Sequence, residues 1–357
     1  LPTYGELDAE LAVIQQEAEA NPALVEKLAP PGLLRKRYIE ALSAHTGRTT
    51  FLYYSGFQQT PQASPTNLQV SSYDMTGFME VCSNVTDSRT LDLFLHSPGG
   101  DGEAADQICA YLRSQFDHIR AIVPVYAMSA ATMMALSADE ILMGAHSQLG
   151  PIDPQLTIQT NEGPRTASAQ AIKDQFDLAV KECEDPNKLP AWVPILRSYA
   201  PGLLAACDHA SQRGEEIVRR SLERYMFAGA EDGATKAAEA AQWFGDAATF
   251  LSHGRPVRRE EAREHNIDVK DLEDDPAVQD AVLSVHHAAL ISMANIPIVK
   301  LIENNCDRRF LQVAQTIAIA AGPGFPGPGF PPPGFLSQRV GLPPGFPPHG
   351  GPSGSAN

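Results

Sequence analysis

Positive charge is scarce in this chain. Against 43 acidic residues stand 27 lysines and arginines, which leaves a formal net charge of −16 over 357 residues. A protein that grips nucleic acid needs a basic footprint to meet the phosphates, so that class is excluded. Docking on an anionic membrane surface is excluded for the same reason. Cysteine is sparse as well. Cys82, Cys109, Cys183, Cys207 and Cys306 are scattered and odd in number, and none belongs to a Cys-x-x-Cys pair. Neither a disulfide framework nor a zinc site is suggested, and a reducing cytoplasm is the expected compartment. No clean membrane span is present. Residues 121–138 come nearest, at about the shortest length that crosses a bilayer. Pro124, Ser129, Thr132 and Ser137 interrupt them and Asp139-Glu140 follows directly, so a buried strand running into a buried helix is expected instead. The opening residues LPTYGELDAELAVIQQ hold neither the basic nor the apolar segment of a secretory signal.

What remains is ordinary globular material, 43% hydrophobic and 20% charged, in a chain long enough for a sizeable core. Residues 1–48 read as an N-terminal helical arm. Its first helix, 6–28, carries Leu7, Leu11, Ile14 and Ala18 on one face, and Pro30-Pro31 ends it. A second helix is expected over 33–44, and the arm's expected role is packing or subunit contact. Strands at 49–54, 91–95, 120–126 and 140–144 then alternate with helices at 75–83, 101–116 and 129–138, with a polar loop over 55–70. Asp74 stands where it could cap the 75–83 helix. This alternation predicts an α/β fold with a mainly parallel sheet.

After Gly150 the pattern loosens. Residues 151–166 read as a polar loop or lid, 168–184 as a helix, 190–226 as helix broken by Pro194 and Pro201, and 232–243 as helix. The segment 253–268 reads as a turn and a short helix stopped at Asn266. Asp275-Pro276 opens a long helix with Val278, Val282, Val285, Ala289 and Met293 on one face. From Ala321 onward Pro and Gly dominate, and Pro-Gly-Phe recurs, ending at Phe325, Phe330, Phe335 and Phe346. Such a composition cannot build a core and is expected to be a disordered tail, with a docking or self-interaction role as the alternative. The expected organisation is the arm 1–48, one domain over 49–310 with a helical C-terminal extension, and the end of a helix plus tail over 311–357.

Two features bear on chemistry. The buried strand in LDLFLHSPGG, residues 91–100, ends on Gly99-Gly100. Paired glycines let backbone approach a substrate closely and aim amide N–H groups at it, and such donors can hold a developing oxyanion. A plain strand-to-helix turn would use the same residues. Ser129 lies in Ala127-Met128-Ser129-Ala130-Ala131, a hydroxyl among small neighbours where a strand meets a helix. The next amide, that of Ala130, could be a second oxyanion donor. A helix-capping serine would look the same from the sequence.

In order and spacing, strand–SPGG–helix–strand–SAAT–helix resembles the Clp/crotonase superfamily. Within it the match is to the serine peptidases: the Clp proteolytic subunit, signal peptide peptidase A, the stomatin-cleaving peptidases and the serine dehydrogenase proteinase family. The resemblance covers about residues 49–310, and is strongest at 92–100 and 126–154. Gly254-Arg255 followed by Glu261-Ala262 is similar to a segment near the end of signal peptide peptidase domains. The resemblance implies Ser129 as nucleophile and the amides of Gly99 or Gly100 and of Ala130 as the oxyanion hole. It implies a peptide or protein substrate, assembly into a homo-oligomer, and no metal or cofactor. The base stays open. The Clp-type histidine would fall near Gly150-Pro151-Ile152-Asp153, where there is none. The signal-peptide-peptidase type uses a lysine on a later helix, which implies Lys181, with Lys173 as an alternative. On helix 168–184 the apolar face is Ile172, Phe176, Ala179 and Cys183, and Lys181 lies opposite, beside Asp174 and Asp177. That is the pattern of a solvated lysine, unless a neighbouring subunit covers it. His253, His286 and His287 read as core or surface histidines, Asp153 as a turn residue and Ser147 as a loop hydroxyl. The expected function is a serine peptidase with a Ser-Lys dyad. A crotonase-like acyl-CoA enzyme and an inactive scaffold acting through assembly and its tail are the alternatives.

Overall fold

The computed structural model describes residues 3–25, 28–85, 88–160, 163–315 and 336–339, and an eight-stranded sheet runs through them. Its strands are β1 (Thr49–Ser55), β2 (Thr90–His96), β3 (His118–Val123), β4 (Glu140–Met143), β5 (Val269–Asp271), β6 (Ile298–Asn304), β7 (Arg309–Gln315) and β8 (Leu336–Arg339). They lie in the order β8-β7-β6-β1-β2-β3-β4-β5. Neighbours from β1 to β5 are parallel, and β6, β7 and β8 add antiparallel pairs at the β1 side. This is the mainly parallel α/β sheet that the alternating pattern predicts.

Alternation along each strand serves two cores. Leu91, Leu93 and Leu95 of β2 point to the face covered by helices Gly102–Gln115, Ala130–Leu136, Leu203–Arg224 and Gly233–Gly245. Phe94 points the other way, with Leu52, Tyr54, Ile122 and Leu142, into helices Pro30–Thr46 and Pro276–Asn295. Both faces are covered, which is why these strands read as nearly continuous apolar runs. The exception within β2 is Asp92. It is fully buried, and Arg48 at 2.6 Å and Arg120 at 2.9 and 2.7 Å hold its carboxylate. A buried charge is tolerated only with such partners.

Several boundaries differ from the sequence reading, each for a local reason. The first helix stops at Ala20 rather than 28, because Asn21 and Pro22 follow and a short 3-10 turn replaces it. Pro30 and Pro31 begin the second helix, where a missing N–H costs nothing. Asp74 lies inside its helix rather than before it. Its carboxylate accepts from the Tyr53 hydroxyl at 2.7 Å and the Ser71 N–H at 2.9 Å, and pairs with Lys300 at 2.9 Å. Residues expected as a loop or lid form a hairpin, Gln155–Thr160 with Gly163–Ser168, in which Leu156 and Ile158 alternate inward. The largest miss is the C-terminal region. Ile298–Asn304 and Arg309–Gln315 are strands, not helix, and β6 pairs antiparallel with β1. The Pro-Gly-Phe tail lies outside the described residues except for β8. The arm buries Leu7, Leu11 and Ile14 against Ala288 and Ile291 of the long helix, so its apolar face is occupied within the chain. No described helix is long and apolar enough to cross a membrane, and no described cluster of His, Cys, Asp or Glu could hold a metal.

His96 ends β2 fully buried among the rings of Tyr54, Phe57, Tyr126 and His286, and among the described residues neither ring nitrogen has a hydrogen-bond partner. Burial pushes its pKa down from 6.5 to about 4. A lowered pKa means that the unfolded chain takes up this proton first. Stability is therefore full above the unfolded pKa of about 6.5 and falls as the pH drops towards 4, by roughly 3 kcal/mol for this group. Denaturant midpoints at pH 7 and pH 4.5 are expected to show a smaller acid loss in His96→Leu than in the unchanged protein.

Candidate active site

The parallel pair β2–β3 opens at its C-terminal end, and the two chains leaving it are tied together. The Ser97 N–H donates to the Tyr126 carbonyl at 3.0 Å, and the Met128 N–H donates to the Ser97 carbonyl at 3.1 Å. This bridge lays the glycine turn against the serine turn. Gly99 has φ 94°, and a Cβ there would lie 2.5 Å from the Met128 carbonyl oxygen and 2.6 Å from the Ser129 Cβ. Only glycine permits both the backbone angle and the approach. Gly100 continues at φ 149° and runs along Val70, which accepts from the Asp101 N–H at 2.9 Å and donates to the Gly99 carbonyl at 2.8 Å.

Ser129 does not cap the helix that follows. It has φ 51° and ψ −117°, outside capping geometry, and its hydroxyl makes no capping bond. A non-glycine residue in this region is strained, and strain of this kind persists where surrounding structure over-determines it. Here Thr132 does so. Its hydroxyl donates to the Ala127 carbonyl at 2.7 Å and accepts from the Gly150 N–H at 2.9 Å, clamping the turn from both sides. The capping alternative raised by the sequence therefore fails on geometry.

Around Ser129 the backbone offers donors. Among the described residues the N–H groups of Gly100 and Ala130 have no intramolecular acceptor, whereas the Gly99 N–H is directed to the Ser97 hydroxyl at 3.2 Å. Gly99 supplies the close approach, and Gly100 and Ala130 supply the free amides. Gly100 and Ser129 line a cleft of about 720 Å³, together with Met133, Ile152, Asp153 and His253.

Among the described residues that line this cleft there is no lysine. Lys181 is exposed on helix Ala169–Glu182, and among the described residues it forms no ion pair, not even with Asp177. Lys173 is paired with Asp208 at 2.7 Å, and that bond raises its pKa, the wrong direction for a base. Lys300 is buried, which lowers its pKa, but it gives its protons to the Tyr53 hydroxyl, the Gln69 carbonyl and Asp74. Ser147 spends its hydroxyl on the Val123 carbonyl at 2.6 Å. The sequence reading took Asp153 as a turn residue and His253 as a core or surface histidine, and the two meet in the cleft at 2.7 Å. Their separation of a hundred positions hides them from any local pattern, although His253 directly precedes the Gly254-Arg255 landmark.

The profile of the ClpP-like SDH-type serine proteinases matches residues 74–175. Over that segment the chain is similar to this family. The segment holds the glycine turn, Ser129, Ala130 and Asp153, and ends before Lys181 and His253. The uncharacterized protein MJ0137 of Methanocaldococcus jannaschii is 48% identical over 68 residues, 19% of this chain and 24% of that protein. The uncharacterized protein MJ1495 of the same organism is 42% identical over 66 residues, 18% of this chain and 23% of that one. The chain thus spans about a quarter of the length of these curated relatives. Among solved structures, an alanine variant of the 1510-N membrane-bound stomatin-specific protease aligns at 16% identity and TM-score 0.36, over 60% of this chain and 79% of that one. A second alanine variant of that protease, in complex with a substrate peptide, aligns at 17% identity and TM-score 0.29, over 61% and 93%.

The Gly99–Ser129 contact gives a direct test. Gly99→Ala is expected to cost about 1–3 kcal/mol from backbone strain alone, with more from the collision. The midpoint of thermal unfolding checks it, and Gly5→Ala, a helical position where a Cβ meets nothing within 4 Å, serves as the control that is expected to hold or slightly raise the midpoint.

Proposed function

We propose that the chain is a serine peptidase in which Ser129 attacks the carbonyl carbon of a peptide bond. The observation that carries this reading is the strained, uncapped Ser129 beside two free amides at the wall of a cleft. An oxyanion formed by attack at this position would meet the N–H groups of Gly100 and Ala130, with Gly99 providing the room. Donors fixed before the reaction stabilise developing charge without reorganising, and removal of one typically costs about 10²–10³ in rate. A crotonase-like acyl-CoA enzyme would use paired amides too, but it would not require the serine to be held off its helix in a strained turn.

The substrate on this reading is a peptide or protein. Thr157 and Thr166 of the hairpin face each other at 3.0 Å and line the same cleft as Ser129, which leaves room for an extended chain. Among the described residues Cys82, Cys109, Cys183 and Cys207 form no disulfide, in keeping with a reducing compartment and cytoplasmic work. A Ser-Lys dyad through Lys181 asks for a homo-oligomer. A second copy would have to cover helix Ala169–Glu182, where Leu178 and Val180 are exposed on either side of the lysine, because a lysine base works only when desolvation holds it neutral.

A fluorophosphonate probe, which forms a covalent bond with activated serines, tests the nucleophile. The full chain in its native assembly is expected to be labelled, and Ser129→Ala to lose labelling while its unfolding midpoint is unchanged. Absence of labelling in the unchanged protein would refute the peptidase reading.

A further inference from the structure

A buried ion pair lies behind the glycine turn. Lys300 Nζ and the nearer Asp74 oxygen are 2.9 Å apart, and each side chain is only 1% exposed. The ammonium has three protons, and the Asp74 carboxylate, the Tyr53 hydroxyl at 3.1 Å and the Gln69 carbonyl at 2.7 Å take them. Burial pulls the pKa of this ammonium below its ordinary value, and Asp74 opposes the shift. The same strand pair holds the chain that runs up to the glycine turn. Ser55 stands opposite Lys300 across β1 and β6, and its hydroxyl donates to the Leu68 carbonyl at 2.6 Å. Two consecutive carbonyls, those of Leu68 and Gln69, are thus pinned from the sheet.

From Gln69 onward the bonds run in series. A trans peptide unit aims its C=O and its N–H in opposite directions. The Gln69 carbonyl faces Lys300, so the Val70 N–H of the same unit faces away from it and donates to the Gly99 carbonyl at 2.8 Å. The Gly99 carbonyl in turn faces Val70, so the Gly100 N–H of that unit faces away from Val70, and this is the free amide beside Ser129. The next peptide unit is gripped by the other member of the ion pair. The Val70 carbonyl accepts from the Asp101 N–H at 2.9 Å, and the Ser71 N–H of the same unit donates to Asp74 at 2.9 Å. The backing is close, since a Cβ on Gly100 would lie 2.5 Å from both the nitrogen and the oxygen of Val70. One charge, two peptide units and one free donor therefore stand in line. Hydrogen bonds in such a chain polarise one another, the more so in a medium of low dielectric.

We propose that Lys300 is a positioning residue for the oxyanion hole, acting on the Gly100 N–H through the 69–70 and 99–100 peptide units. The assignment rests on the peptidase reading of Ser129 and on the Gly100 amide as an oxyanion donor. Before substrate arrives, the line of bonds holds that amide in one orientation. As attack moves negative charge onto the carbonyl oxygen, the ammonium at the far end of the line strengthens the amide as a donor. Asp74 makes a charge possible there, because a buried ammonium needs a partner. It also fixes, through Ser71, the second bond that Val70 makes to the turn. Lys300 touches neither substrate nor Ser129, and its effect on the reaction passes wholly through backbone.

Fluorophosphonate labelling of the full chain tests the assignment, because the phosphonyl oxygen of the probe enters the same hole. The limiting rate constant, the half-saturating probe concentration and the final labelled fraction are read separately. Lys300→Met combined with Asp74→Asn leaves no buried charge unpaired, so it is expected to fold. Denaturation midpoints check this, and Lys300→Gln with Asp74→Asn replaces that pair where it does not fold. The double variant is expected to label to completion, with the half-saturating concentration unchanged. Its limiting rate constant is expected to fall by about 10-fold or more, short of the 10²–10³ that loss of a whole donor costs. Arg35→Met with Glu303→Gln removes a second buried ion pair carried by β6, which reaches helix Pro30–Thr46 instead of the glycine turn, and is expected to label at the full rate. A folded Lys300 variant that labels at the full rate overturns the assignment and leaves Ser129 as nucleophile. So does one in which the labelled fraction falls and the rate constant does not. Equal slowing in the Arg35–Glu303 variant overturns it too, since the loss is then one of general stability. An unchanged protein that is never labelled refutes the peptidase reading, and the assignment falls with it.

Discussion

The contact between Gly99 and the Ser129 turn is the constraint on which the site depends. Two parallel strands end side by side, and past their ends the chains remain joined by the Ser97–Ala127 bridge. That bridge forces the glycine turn into space that a side chain would need. It also holds Ser129 at a backbone angle that it would not adopt alone. Strain of about 1–3 kcal/mol is small beside the packing that opposes its release. Ala130 and Ala131 are buried in the core under β2, and Thr132 locks the turn at two backbone groups. The serine is presented because the fold leaves it no other arrangement.

The sheet lets this constraint be local. β1, β2 and β3 are covered on both faces, so their ends are fixed to the core on each side of the cleft. Beside the glycine turn lies a second rigid element. Lys300, Asp74 and Tyr53 form a buried cluster, and Lys300 also holds the Gln69 carbonyl, next to the Val70 that pairs with Gly100. Breaking such a cluster at one member leaves an uncompensated buried charge, which is far costlier than its net contribution when whole. The antiparallel strands β6 and β7 thus do more than extend the sheet, since β6 carries Lys300 to the back of the glycine turn.

The parallel core was legible because each strand is buried on both faces and each helix shows its apolar stripe. Ser129 and the glycine pair were legible as types in an order, yet their geometry was not. A capping serine and a strained one have the same letters, and only φ 51° and the missing capping bond separate them. β6 and β7 were missed because Ile298–Asn304 carries Lys300, Glu303 and Asn304 inward, where the expected pattern is apolar. Arg35 neutralises Glu303 at 2.6 Å, so the strand is buried through partners that lie far away in sequence. The 155–168 hairpin was masked for another reason. Its threonines, glutamines and arginine face solvent, and the small inward stripe of Leu156 and Ile158 was outweighed by polar composition.

The base illustrates the same limit most sharply. A nucleophile and its oxyanion donors sit within a strand and a turn of each other, so their spacing leaves a mark in the sequence. A base need only reach the same cleft, and any element passing its rim can bring one. Lys181 fits a spacing, but its helix faces solvent. His253 fits no spacing, but its segment is stitched to the chain just before Asp153 by paired backbone bonds. Backbone bonds of that kind fix a side chain's position more tightly than a flexible lysine stem on an exposed helix can. The cleft of a single chain already holds the carboxylate that an imidazole requires, whereas a lysine would require a second chain to strip its water.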